Sequence, residues 1–206
     1  MKIISRNDDL HELFLNVRKA YRLLYEYQNK ILKLVKYIGD FYGYSYHGGW
    51  AQFSKPCPKN GKGSLNNWAW DWLNMYDYDF HFGIKKEKIK EGNENENEEI
   101  RFSIRLISDT GYYDSPREDK NKTKIETFAD VENSKTKLIL VASNKGWKFG
   151  ELFNSFNSKE DEYYLKSEEL NMYAKSYNLE AFIDEEATIE KLEDFREKCK
   201  ENGINI

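Results

Sequence analysis

The feature that most constrains this chain is a row of apolar and aromatic residues, spaced alternately by four and three, along its first forty residues. This spacing puts one residue per turn on the same side of a helix, so it predicts a long amphipathic α-helix. Asp8 or Asp9 would begin that helix and Gly43 would end it, while Gln28 alone interrupts the row. The row consists of Leu10, Phe14, Val17, Tyr21, Leu24, Ile31, Val35, Ile38 and Tyr42.

A second apolar row lies beside the first and widens the apolar side of the helix. Two apolar positions per heptad are typical of a coiled coil, whereas three favour a helix that lies on a broad core. We therefore predict that the helix packs across a sheet of its own chain. In the alternative arrangement two chains share the helix, so the oligomeric state stays open. The second row is Leu13, Ala20, Tyr27, Leu34 and Phe41.

Two later stretches alternate with a period of two, as half-buried strands do. Residues 75–83 and 100–108 predict an antiparallel hairpin around a flexible charged loop at about 86–98. The aliphatic run at 138–142 predicts a central strand that is covered on both faces, and 124–129 an edge strand.

The C-terminal third carries two further stretches with helical spacing, at 168–177 and about 185–202. Residues 44–65 contain turn-forming glycines and prolines and predict an irregular connection. Together these patterns predict an α+β fold, in which the N-terminal helix packs on a mainly antiparallel sheet of about four to six strands, with C-terminal helices. Residues 1–206 are expected to form a single domain.

Cysteine usage and hydropathy predict a cytoplasmic protein. Cys57 and Cys199 form neither a disulfide framework nor a metal-type pair, as expected in a reducing compartment. Residues 1–9 lack the apolar core of a signal peptide, and no apolar run is long enough to span a bilayer. The sequence therefore predicts no membrane, metal or cofactor.

Charge is divided unevenly along the chain. Residues 1–90 carry 15 basic and 9 acidic residues, a net charge of +6, whereas residues 91–206 carry 17 and 27, a net charge of −10. Such asymmetry affects the choice of partner. Arg18, Arg22 and Lys33 lie away from the apolar side of the first helix, so nucleic-acid binding through this basic face is one alternative function.

The strongest candidate for catalysis is the sequence Asp77-x-Asp79-x-His81. Alternate residues of a strand project from the same face, so two carboxylates and an imidazole could share a divalent metal ion or act as acid and base. In the competing interpretation these residues form a solvated strand face, paired with Arg101 and Arg105 on the neighbouring strand, and the aromatic residues occupy the buried face. The first interpretation gives a metal-dependent hydrolase or nuclease.

Aromatic residues make up 16% of the chain, and many lie between positions 44 and 82. Tryptophan, tyrosine and arginine dominate protein-binding hot spots, although core packing also uses large rings. No catalytic motif accompanies them. We therefore favour a non-catalytic cytosolic binding protein, such as a phage or mobile-element inhibitor of a larger protein, for instance a nucleic-acid enzyme. The predicted partner-binding residues are Trp50, Trp68, Trp70, Trp72, Tyr112, Tyr113, Arg18, Arg22 and Lys33.

Overall fold

The computed structural model describes residues 7–55, 73–83, 85–86, 99–145 and 161–206. Contacts divide the chain into two compact units, Met1–Ile38 and Gly39–Ile206. The first contains most of the N-terminal helix, and the second contains the last turn of that helix and every strand described here. The charged loop predicted at 86–98 lies outside the described residues except for Lys86.

The N-terminal helix, α1, spans Asn7–Tyr42, close to its predicted bounds, and Gly43 follows it with a φ of 76°. Ile31, Val35 and Ile38 of the apolar row are buried, as predicted. No helix within the described ranges combines the length and the apolar character needed to cross a bilayer.

The N-terminal half of the same row differs from the prediction that it would be buried. Phe14 is 55% exposed and Tyr21 is 70% exposed, and Val17 and Leu24 are exposed as well. A helix of 36 residues is about 54 Å long, and its apolar row is buried only towards the C-terminal end, from Ile31 onwards.

The described residues contain one antiparallel sheet of six strands in the order β1–β2–β4–β5–β7–β6, and a two-residue strand, β3, pairs with the start of β4. The predicted pairing of β2 with β4 is confirmed, and so is the central position of β5. With α1 and a C-terminal helix, this sheet gives the predicted α+β fold. The strands are β1 (Tyr46–Ala51), β2 (Asp77–Phe82), β3 (Lys85–Lys86), β4 (Glu99–Ile107), β5 (Lys137–Lys145), β6 (Glu162–Lys166) and β7 (Asn171–Asn178).

Three local predictions were wrong. The helix predicted at 168–177 is strand β7, which is buried on both faces and so lacks the polar alternation that identifies a strand. The irregular connection predicted from residue 44 contains β1. The edge strand predicted at 124–129 is a 3₁₀ turn at Ile125–Thr127, because the Thr127 hydroxyl donates to the carbonyl of Lys124 and stabilises the turn.

One face of the sheet packs against α3 (Glu185–Glu201) and the last turn of α1. Tyr42 contacts Phe102 and Phe195 edge-on, and its hydroxyl donates to the carbonyl of Leu192 at 2.7 Å. Tyr173 stacks on Phe195. This face is the aromatic core that the alternation in β2 and β4 predicted.

The opposite face of the sheet is half apolar and half ionic. Its apolar half is a buried cluster on β4 to β7, whereas its ionic half lies on β2 and β4. The one-turn helix α2 (Gly111–Asp114) carries Tyr113, which contacts both halves. The apolar cluster comprises Ile107, Ile139, Val141, Tyr163, Leu170, Met172 and Ala174.

Candidate functional site

The two carboxylates of β2 are buried, which corrects the prediction of a solvated acidic face. Asp77 and Asp79 have no exposed surface, and Arg105 is 2% exposed. The predicted register holds, because Asp79 lies directly opposite Arg105 on β4. The acidic face is covered because the chain after β4 returns over it and places Tyr113 beside Asp77. Sequence alternation identifies the face but not the segment that covers it.

Asp77 accepts hydrogen bonds from two groups. Arg105 donates from Nε to Oδ1 and from Nη2 to Oδ2 of this carboxylate, both at 2.7 Å. The Tyr113 hydroxyl donates to Oδ2 at 2.5 Å. Arg105 also donates to that hydroxyl oxygen at 2.8 Å. Such two-point pairing of guanidinium and carboxylate is strong and directional, so Asp77 is fixed in place.

Asp79 is held less completely than Asp77. Its Oδ2 accepts a hydrogen bond from Nε2 of Gln52, whereas Oδ1 has no hydrogen-bond partner and lies 3.8 Å from Nε of Arg105. Burial, opposed by Arg105 and reinforced by the nearby Asp77, raises the pKa of Asp79 to about 7. This buried carboxyl therefore gains or loses a proton near neutral pH.

His81 does not form a metal site with the two carboxylates. Its ring stacks on Trp50 with 4.0 Å between ring centres, and burial lowers its pKa. Among the described residues, no three side chains of histidine, cysteine, aspartate or glutamate are grouped so that they could hold a metal ion. Asp77 is already engaged by Arg105 and Tyr113. The arrangement therefore supports an internal ionic cluster better than a metal centre.

Tyr112 and Tyr113, predicted to bind a partner, are half-buried and contact other rings of the chain. Tyr112 packs edge-on against Phe53 at 5.4 Å, and the Lys122 ammonium lies 4.8 Å from the centre of the Phe53 ring. Burial lowers the pKa of Lys122, although Asp77 opposes this effect. These contacts give the two tyrosines a packing role, and their role in binding stays a prediction.

The largest set of exposed apolar side chains in the described residues lies on α1. We call six of them the exposed stripe, because they share one side of the helix before Gln28. Arg22 and Lys33 lie on the opposite side, Arg18 lies at the edge of the stripe, and all three are exposed. The stripe consists of Leu13, Phe14, Val17, Tyr21, Leu24 and Tyr25, which are between 38% and 70% exposed.

One of the four tryptophans predicted to bind a partner lies among the described residues. Trp50 lies on the edge strand β1 and is 48% exposed. Trp68, Trp70 and Trp72 lie outside the described residues. Trp50 is therefore the one predicted tryptophan that can be placed in the described part of the chain, and it contacts His81.

The sequence model of the PM0109 family matches residues 7–204. The chain belongs to the PM0109 family. The match includes residues of both compact units. Neither the curated proteins nor the solved structures include a match to the chain.

In this PM0109 family chain, sequence reasoning missed two residues of the ionic cluster. Tyr113 follows Asp77 by 36 positions, and Gln52 precedes Asp79 by 27. Neither lies in a strand that pairs by simple alternation, and no local motif marks either one. Only the path of the chain around the sheet brings them to the two carboxylates.

Proposed function

We propose that this protein is a non-catalytic protein-binding protein of the cytosol, and that the exposed stripe of α1 contacts its partner. The observation that carries the proposal is the stripe itself. A fully exposed aromatic ring has about 150–250 Å² of surface, so Phe14, Tyr21 and Tyr25 at 55%, 70% and 66% exposure present roughly 400 Å². That area is comparable with the largest apolar patch on a typical monomeric protein, and such a patch is often functional.

The ionic cluster supports a binding function over metal-dependent hydrolysis. A catalytic metal needs carboxylate oxygens that are free to coordinate and a path for the substrate. Both oxygens of Asp77 accept hydrogen bonds from Arg105, and Asp79 has no exposed surface. The cluster therefore acts in this proposal as a part of the fold that joins β2 to β4 and α2.

We propose a larger protein, such as a nucleic-acid enzyme, as the target of inhibition. The acidic character of residues 91–206 supports a basic partner, because complementary potentials speed and orient association. A phage or mobile-element inhibitor would combine these features, with an apolar contact surface for affinity and an acidic surface for steering. The stripe supplies the first and the charge distribution the second.

Affinity capture from cells that express the protein tests this proposal. Tyr21→Lys places a charge within the stripe, so we expect the recovery of bound protein to fall by about tenfold or more. Leu23→Lys is the matched control, because Leu23 is 72% exposed on the same helix but lies off the stripe, and it should leave recovery unchanged. Equal recovery with both variants would contradict the proposal.

A further inference from the structure

We propose that the exposed stripe pairs with the same stripe of a second copy of this chain, in a parallel two-stranded coiled coil over residues 10–28. The inference rests on the proposed function, since it names a partner for the same surface. In that dimer the stripe of each copy is occupied, so the larger target would be bound through the acidic residues 91–206 instead of through the stripe. Three observations carry it: the phase of the apolar row, the position of Gln28 and the area of the stripe.

The apolar row keeps coiled-coil phase throughout α1. Its spacings of four and three repeat over ten positions, which is the 3.5-residue period of a left-handed supercoil. In that phase Phe14 and Tyr21 occupy a positions, whereas Val17 and Leu24 occupy d positions. This phase places the apolar side chains along a single seam, as two parallel copies of the helix require.

Gln28 is the single polar residue in the row, and it falls at an a position. A polar residue at one a position fixes the register and the number of helices in a coiled coil. In a parallel, in-register pair the two Gln28 amides face each other across the seam, where each can donate to the other. In an apolar groove the same amide would lose its hydrogen bonds to water without replacement.

The stripe supplies a large part of the area that a symmetric dimer requires. A standard interface buries about 800 Å² per partner, and the three exposed rings of the stripe supply roughly half of that. Leu13, Val17 and Leu24 add further apolar surface. The row beyond Gln28 is not available, because Ile31, Val35 and Ile38 are already buried. The contact is therefore confined to roughly three heptads.

Analytical ultracentrifugation of the full chain tests the pairing. We expect a concentration-dependent dimer for the natural protein and for Leu23→Lys, and at least a tenfold weaker dimer for Tyr21→Lys. Circular dichroism of each variant verifies that its fold is retained. A natural protein that stays monomeric at every concentration, or a Tyr21→Lys variant that dimerises normally, would overturn the inference. If the protein is monomeric but Tyr21→Lys still loses a captured protein, the proposed function stands without the inference.

Disulfide cross-linking tests the parallel orientation. Replacing Cys57 with serine leaves Cys199 as the one natural cysteine, and Cys199 is buried. In this background a new cysteine is introduced at Val17 in one variant and at Leu24 in another. A parallel pair brings each d position next to its own copy, so both variants should form covalent dimers on mild oxidation. An antiparallel pair could do so at no more than one of the two positions. Leu23→Cys, off the seam, should give none, and cross-linking there would contradict the proposed seam.

Discussion

Replacing Arg105 with methionine is expected to lower the free energy of unfolding by about 3–5 kcal/mol, because it leaves two carboxylates buried without their cation. Arg105 makes two hydrogen bonds of 2.7 Å to Asp77 and lies 3.8 Å from Asp79. Asp77 would then keep only the hydrogen bond from Tyr113, and Asp79 only that from Gln52. Urea unfolding followed by circular dichroism measures the loss.

Two further variants separate this effect from a general loss of charge. Arg117 also pairs with an aspartate, Asp119, but both side chains are exposed, so Arg117→Met should leave the free energy of unfolding nearly unchanged. Arg105→Lys keeps the charge without the two-point geometry and should fall between the natural protein and Arg105→Met. A loss of under about 1 kcal/mol for Arg105→Met would show that the cluster does not stabilise the fold as described.

Asp79→Asn is expected to stabilise the protein above neutral pH and to remove part of its pH dependence. Burial raises the pKa of Asp79 from its ordinary 3.8 to about 7 in the folded protein. Between these two values the folded state holds a proton that the unfolded state has released, so stability falls as the pH rises from about 4 to about 7. Over this range the free energy of unfolding falls by about 4 kcal/mol in total, because one pKa unit corresponds to 1.36 kcal/mol.

The test is the difference in unfolding free energy between Asp79→Asn and the natural protein, measured from pH 4 to pH 8. The difference should grow in favour of the variant up to about pH 7 and then level off. Asp194 provides a contrast, because hydrogen bonds from Lys175 and Tyr177 outweigh its partial burial and lower its pKa below the ordinary 3.8. Its stabilising contribution is therefore lost only below about pH 4, and the difference for Asp194→Asn should stay constant from pH 4 to pH 8. A difference that does not change with pH would show that Asp79 is ionised throughout this range.

Sequence periodicity predicted those strands and helices that have the apolar core on one side and polar or charged surroundings on the other. Strands β2 and β4 alternate because one face holds the aromatic core and the other holds the charged cluster, so their pairing and the contact of Arg105 with the carboxylates could be read from the pattern. Helix α3 was predicted for a similar reason, since Leu192, Phe195 and Cys199 are buried at helical spacing. Asp184 caps it through the amide of Ala187.

Elements with similar surroundings on both sides could not be predicted in this way. In β7, Met172, Tyr173 and Ala174 are all buried, and a continuous apolar run fits a short helix as well as a strand. The edge strand β1 includes Gly48 and Gly49 and has little apolar contrast. The cluster partners Tyr113 and Gln52 depend on the path of distant segments, which no local pattern encodes.

Photo-cross-linking in living cells, with benzoylphenylalanine in place of Tyr21, determines whether the exposed stripe contacts another protein chain. On irradiation the benzoylphenylalanine side chain reacts with any group within a few ångströms. It therefore reports a contact at the stripe whatever the identity of the partner. The same group at Ile183, which is 81% exposed in the other compact unit, is the control. We predict a discrete cross-link to another protein chain, a second copy included, from position 21 and none from position 183. The absence of any cross-link from position 21 would contradict the claim that the stripe binds protein.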